Sequence, residues 1–417
     1  MIFLATALQE NWNNFPWHGV NFEVYKDMPT LVYAEVAHTL ICFLCLLHAF
    51  SHFSREQQKR HILLWISAIT VGPFLYLLSI SVSELNNCWF SQATFMITPR
   101  LPLVTILVYC EALYITVGIT WFSGIDRLAR PFIVGLISAL LQSCHDQVGT
   151  KMLWWSWHDS DNNTNPRIMD VPVTATFGWC IYANCFCLLM HLPGMAIGYY
   201  YGQEPRDIFM INKHYYVLTY LLLCICIVPL SITVMAIIQC SLGFTFPPNI
   251  EPPSIWTLVV TLISHIVIAV FCGMYEKTSS LRKKTLTGNN PKLLVISICL
   301  YYIFNAFVVI FGKPEEHISL GLHQQYGHCD TLETDFSGFL TRKKYVCKEE
   351  RMNPDSYEFI ENEMPNIGDQ WYKIKGIAKN DEWLLGITIT LFTSSSFIGL
   401  LVLSAFHERN LLFEHEN

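Results

Sequence analysis

The stretch FIVGLISALLQSCHDQVGTKMLWWSWHDSD, residues 132–161, decides how this chain is read. Its first part is an apolar run of the kind that crosses hydrocarbon as a helix, which takes about 20 residues for ~30 Å. Into that run the sequence sets Cys144-His145-Asp146-Gln147, and just beyond it Trp154-Trp155-Ser156-Trp157-His158-Asp159-Ser160-Asp161. An ionisable group at the centre of a membrane helix costs about 2.5–3.5 kcal/mol on insertion scales. A His-Asp pair there implies polar partners inside a bundle, or a chemical purpose. Neighbouring residues point about 100° apart around a helix, so His145 and Asp146 address different surroundings.

Working outward, apolar runs of similar length recur along the chain, nine in all. They cover 31–53, 62–85, 101–121, 132–153, 171–197, 216–239, 255–275, 293–311 and 383–406, with Pro73, Pro193 and Pro229 inside spans as expected kinks. The fold class expected is an all-α, polytopic membrane helix bundle. Composition agrees, because 52% of the 417 residues are hydrophobic and 14% charged, against about 25% charged in soluble domains. Of the 59 charged residues, 23 lie between Gly312 and Glu382, so the rest of the chain is poorer still and offers no basic surface for nucleic acid. Four regions follow: an extracytoplasmic segment 1–30, an eight-helix bundle 31–311, an extracytoplasmic insert 312–382, and a ninth helix with a cytoplasmic tail, 383–417. Met1 to Leu8 is apolar but lacks the basic flank of a signal peptide and is read as part of the mature chain.

Orientation comes from basic residues, which are enriched in short cytoplasmic loops. With the N-terminus outside, the inner connections hold 13 Lys and Arg and the short outer ones four: Lys26, Arg100, Lys151 and Arg167. Cysteine placement points the same way. Eleven of the 15 cysteines fall within spans, while Cys88, Cys240, Cys329 and Cys347 fall on the outer face, where an oxidising compartment preserves disulfides. Cys329 with Cys347 is the favoured bridge by proximity, among three connectivities. The sequon Asn162-Asn163-Thr164 also falls outside, and glycosylation of Asn162 would place the chain in a eukaryotic secretory or plasma membrane.

Most intramembrane ionisable residues gather toward the outer leaflet: Glu35 and His38 in the first span, Glu84 at the end of the second, and His145 and Asp146 in the fourth. Glu111 and His265 lie near the midplane of the third and seventh spans. An outward-opening polar site explains this grouping. In an enzyme, Asp146 or Glu111 would serve as general acid, His145 or His158 would shuttle the proton, and Asp159 would orient it. Trp154, Trp155, Trp157, Asp161 and Trp179 would face an apolar, lipid or isoprenoid-like substrate, although the tryptophans also fit an interfacial aromatic belt. In a proton-coupled carrier, Glu111, Asp146 and His265 would form the pathway. In a receptor or assembly subunit, the insert would bind a protein partner.

No metal site is expected. His48 and His52 share a helical face as an HxxxH pair, but no further histidine box follows, so they read as an interfacial cluster. His317, His323 and His328 lack metal-ligand spacing and read as exposed loop histidines. No GxSxG, HExxH, Walker or dinucleotide loop is present, so the sequence names no cofactor.

Asp146 precedes Trp155 and Trp157 by nine and eleven residues, and Val171-Pro172 precedes Gly178-Trp179. In this pattern residues 146–179 resemble the membrane carotenoid-biosynthesis hydratase family, that of bisanhydrobacterioruberin hydratase, and depart from it at Gln147, where the family carries Pro. The resemblance implies lyase or hydratase-like chemistry on an isoprenoid lipid. The chain as a whole resembles an uncharacterised animal group of multi-pass membrane proteins with a domain of unknown function.

Overall fold

In the computed structural model the described residues are 19–52, 54–82, 86–123, 125–161, 164–201, 214–243, 255–278, 291–334 and 341–416. Among the described residues, besides a four-residue helix Val24–Asp27, ten helices carry the fold: α1 Pro29–Phe50, α2 Arg55–Val71, α3 Phe74–Ser81, α4 Leu103–Phe122, α5 Arg130–Lys151, α6 Val173–Tyr201, α7 His214–Gly243, α8 Ile255–Thr278, α9 Lys292–Phe311 and α10 Asp381–Glu416. α2 and α3 form one span, Arg55–Ser81, broken at Gly72-Pro73 where proline withholds an amide donor. Pro193 and Pro229 lie inside α6 and α7.

Among the described residues eight helical segments are long and apolar enough to cross a membrane, and they match eight of the nine apolar runs. The segment outside that set is α5, whose last half carries Gln142, His145, Asp146 and Gln147. This helix tolerates polar groups because it lies inside the bundle: Leu141, Gln142 and Cys144 through Lys151 are all buried.

α1 shows how the bundle inverts the soluble pattern. Its buried stripe recurs every three or four residues and includes Glu35, His38, Cys42, Cys45 and His48. Its exposed stripe is Val36, Leu40, Phe43, Leu47 and Phe50. An apolar exterior around a partly polar interior suits hydrocarbon, not water. α4 is the central element, with every residue from Cys110 to Thr120 buried.

One end of the bundle carries short strands in three connections. β1 Cys88–Phe90 pairs antiparallel with β4 Trp155–Trp157. β2 Met96–Thr98 pairs with β3 Leu101–Pro102, and β5 Arg167–Ile168 with β6 Val171–Pro172. Between α9 and α10 come β7 Ile318–Leu322, β8 Leu332–Thr334, β9 Thr341–Lys343, β10 Glu358–Phe359 and β11 Trp371–Lys375. β11 pairs with both β7 and β10, β8 pairs with β9, and Cys329 and Cys347 form the expected disulfide. Cys88 is a buried free thiol and Cys240 an exposed one.

This insert is knitted to the other connections. The Gln92 amide donates to Leu320 O at 2.8 Å, and Ser91 bridges Gly321. Arg342 pairs with Asp161 at 2.5 Å, and the Asp159 carboxylate accepts from the Met352 and Asn353 amides at 2.8 and 3.1 Å. Met152, Trp154 and Trp155 share an apolar cluster with Tyr357, Phe359, Tyr372 and Ile374.

Candidate intramembrane polar site

The site forms where α1, α4 and α5 meet. His38 Nδ1 and Glu111 Oε1 are 2.7 Å apart, and both side chains are fully buried. His145 stands edge-on to His38 with ring centroids 4.9 Å apart, and Phe304 of α9 also packs on His38, at 5.5 Å. Helix periodicity explains the meeting: His38 lies on the buried stripe of α1, and Glu111 sits in the wholly buried run of α4.

Above His145 lie Trp155 and Trp154, at 5.3 and 5.7 Å between ring centroids. The chain turns from α5 into β4 at Leu153, whose φ of 55° is a left-handed conformation costing about 1–2 kcal/mol for a residue with a side chain. The Ser91 hydroxyl donates to Leu153 O and holds that turn. The Trp154 indole N–H donates to Thr30 Oγ1 at 3.1 Å, and Trp157 N–H to Thr150 Oγ1 at 3.0 Å. Gly149 lets Trp155 close in, since a Cβ there would lie 2.1 Å from the indole.

Glu111 Oε2, His38 Nε2, His145 Nδ1, Asp146 Oδ2 and both amide atoms of Gln142 lack a hydrogen-bond partner among the described residues. Each buried polar atom left in that state costs about 1–3 kcal/mol, which makes these residues candidates for a polar site. Asp146 is buried, and its Oδ2 is one of those unpartnered atoms. Burial, then the Asp146 charge, push the Cys88 thiol up. On the same part of α5, Ser143 and Gln147 line a cavity of about 160 Å³ that is otherwise mainly apolar, with Thr176 on α6 and Leu258 and Leu262 on α8.

The sequence-predicted residues separate into two groups. His145, Glu111 and His38 come together, with Trp154 and Trp155 against His145; Asp146 is buried next to His145 in the chain, its Oδ2 without a hydrogen-bond partner among the described residues. Trp179 lies further along α6 against Tyr109, at 4.6 Å. His158, Asp159 and Asp161 instead bind the connection to itself and to the insert. His158 Nδ1 accepts from the Ser160 and Asp161 amides at 3.3 and 3.1 Å. Burial, then Arg342 and Arg167, hold its imidazole well below the usual range. Glu35 accepts from the Phe95 amide at 3.2 Å, and His265 bonds Asn184 at 3.1 Å, apart from the cluster. Glu84 and Asn162 lie outside the described residues, while the sequon's Thr164 is buried and donates to His158 O at 2.6 Å.

Two histidine expectations change. His317 and His323 are buried, not exposed, because the insert folds onto the bundle: His317 donates to Met152 O at 3.1 Å and Ser156 lies 3.3 Å from His323. His328 alone of the three is exposed. His48 and His52 gain a neighbour that sequence spacing did not supply, His61 from α2.

A family model, described as a domain of unknown function (DUF7802), matches residues 20–401. No curated protein matches, and no solved structure matches.

Proposed function

The chain belongs to the DUF7802 family of unknown function, and from that premise we propose that it carries an intramembrane acid–base site acting on a lipid or isoprenoid-like substrate. The observation that carries this reading is the fully buried His38–Glu111 hydrogen bond. One proton along that 2.7 Å contact converts carboxylate and imidazolium into carboxylic acid and imidazole. Neither form carries net charge, which lets a proton be held in a low-dielectric interior. His145 and Asp146, on the adjoining helix, would exchange that proton with substrate, and Trp154 and Trp155 would exclude water. The mainly apolar cavity on α5, with Ser143, Gln147 and Thr176 as its polar points, suits part of an apolar chain. The local hydratase pattern of Asp146, Trp155 and Trp157 is in keeping with such a substrate.

A second reading, a proton-coupled carrier, is favoured by one observation. Titratable groups continue from Glu111 to Tyr114, one turn along α4, and on to His48 and His61, at 2.7 and 3.3 Å from the Tyr114 hydroxyl. Lipid analysis of cells lacking the protein, rescued with wild type, Glu111→Gln or Asp146→Asn, tests the first reading. A lipid that accumulates and is cleared by wild type alone is the expected result. Proton flux in proteoliposomes that Glu111→Gln abolishes, with an unchanged lipid profile, would select the carrier. Folded variants that match wild type in both assays would remove the site from function.

We further infer nine crossings with the N-terminus and the insert outside. Support comes from parity: β1, before α4, pairs with β4, after α5, so the chain returns to one face. Since α4 is long and apolar enough to cross, α5 has to cross back despite its polar half.

A further inference from the structure

At the end of α1 remote from the insert, 22 residues or about 30 Å along the helix, three histidines converge. His48 and His52 come from the last turn of α1 and the residues that follow it, and His61 from α2. All three are at least nine-tenths buried. His52 and His61 stack with centroids 3.9 Å apart, and His48 meets them edge-on at 4.8 and 5.2 Å. One ring nitrogen of each lies within 4.8 Å of the others.

We propose that His48, His52 and His61 form a binding site for a first-row divalent transition metal, zinc or copper(II). Three neutral imidazoles are the donor set such ions take in preference to magnesium or calcium. A tetrahedral site with bonds of about 2.0–2.1 Å needs nitrogens about 3.3 Å apart, which modest side-chain rotation reaches from this spacing. Tyr114, fully buried on α4, supplies the outer support. Its hydroxyl lies 2.7 Å from His48 Nδ1 and 3.3 Å from His61 Nδ1. With that oxygen accepting from both rings, Nε2 becomes the basic nitrogen of each, the arrangement that orients histidine ligands in metal sites. Arg60, next to His61 in the chain, lies over the Trp121 ring at 4.1 Å and 3.4 Å from His191. Three protein ligands leave a fourth position for water or a small ligand.

The test uses the full chain in detergent with an affinity tag that contains no histidine. After chelator treatment the protein is titrated with Zn²⁺ or Cu²⁺, and bound metal is measured by mass spectrometry; Co²⁺ is used separately to report geometry by its visible absorption. One ion per chain is expected, with zinc and copper arms showing which is held more tightly. His52→Gln and His61→Gln should lose it, Tyr114→Phe should weaken it by about 10–100-fold, and His265→Gln should leave it unchanged. Because His61 lies within a helix, His52→Gln, beyond the end of α1, guards against loss through misfolding; monodispersity and Tm are read in parallel. Stoichiometric binding that survives in folded His52→Gln, or wild type that retains no ion at micromolar metal, overturns the proposal.

Discussion

Glu111 and His38 occupy positions where either partner alone would be an isolated polar group in a fully buried setting. Glu111→Gln keeps the shape and one hydrogen bond but removes the titratable proton, so the proposed site predicts a folded protein with at least a 100-fold loss of activity, the low end of what general acid–base catalysis supplies (~10²). Glu111→Leu should instead lower stability by about 1–3 kcal/mol, because His38 loses its acceptor; thermal unfolding in detergent separates the two effects. Outside the membrane, His323 gives a pH prediction. Burial pushes its imidazole down to about 4, against an unfolded value of about 6.5. Between those values the unfolded chain binds a proton that the folded one refuses, so this stabilisation is full above about pH 6.5 and is lost as pH falls through 4. Burial holds His158 and His317 below their usual range too, with the same sign. Tryptophan-fluorescence melts should therefore show a lower Tm at pH 5 than at pH 7, and His323→Gln should flatten part of that slope. An unchanged Tm across this range would count against the assignment.

The junction from α5 to β4 is the element on which the site's cover depends. Gly149→Ala would drive a methyl into the Trp155 ring. Overpacking of that kind costs about 1–3 kcal/mol and would shift Trp155 from His145, so stability and activity should fall together while Gly178→Ala, which meets open space, should change neither appreciably. Within the insert, the Cys329–Cys347 bridge closes a sequence separation of 18 residues, a constraint worth about 3 kcal/mol. Each single Cys→Ser change should lower folded yield, and the double change should do no further harm. Additive losses would mean that the two thiols act separately.

At the scale of the whole molecule, the insert and the bundle act as a unit through Arg342 and Asp161. Arg342→Ala removes the ion pair of a buried carboxylate and should cost about 3 kcal/mol. Limited proteolysis should then cut the insert faster, and Asp161→Asn in the same chain should recover part of the loss. The sequence by itself determined the membrane class and the position of eight apolar helices, and it favoured the Cys329–Cys347 pairing among three connectivities, because twenty-residue apolar runs and closely spaced cysteines are local signals. It also singled out His145, Asp146 and Glu111, since a polar group in such a run is conspicuous wherever it sits. Tertiary structure alone decided which of these meet: His38 and Glu111 are 73 residues apart and touch because stripes on two helices happen to face each other. It also decided that Asp159 and Asp161 fasten the insert while His158 ties its own connection together, and that His61 joins His48 and His52 across a turn. Charge and spacing along a chain carry no record of which helix face will be its neighbour; that is fixed by packing of the bundle as a whole.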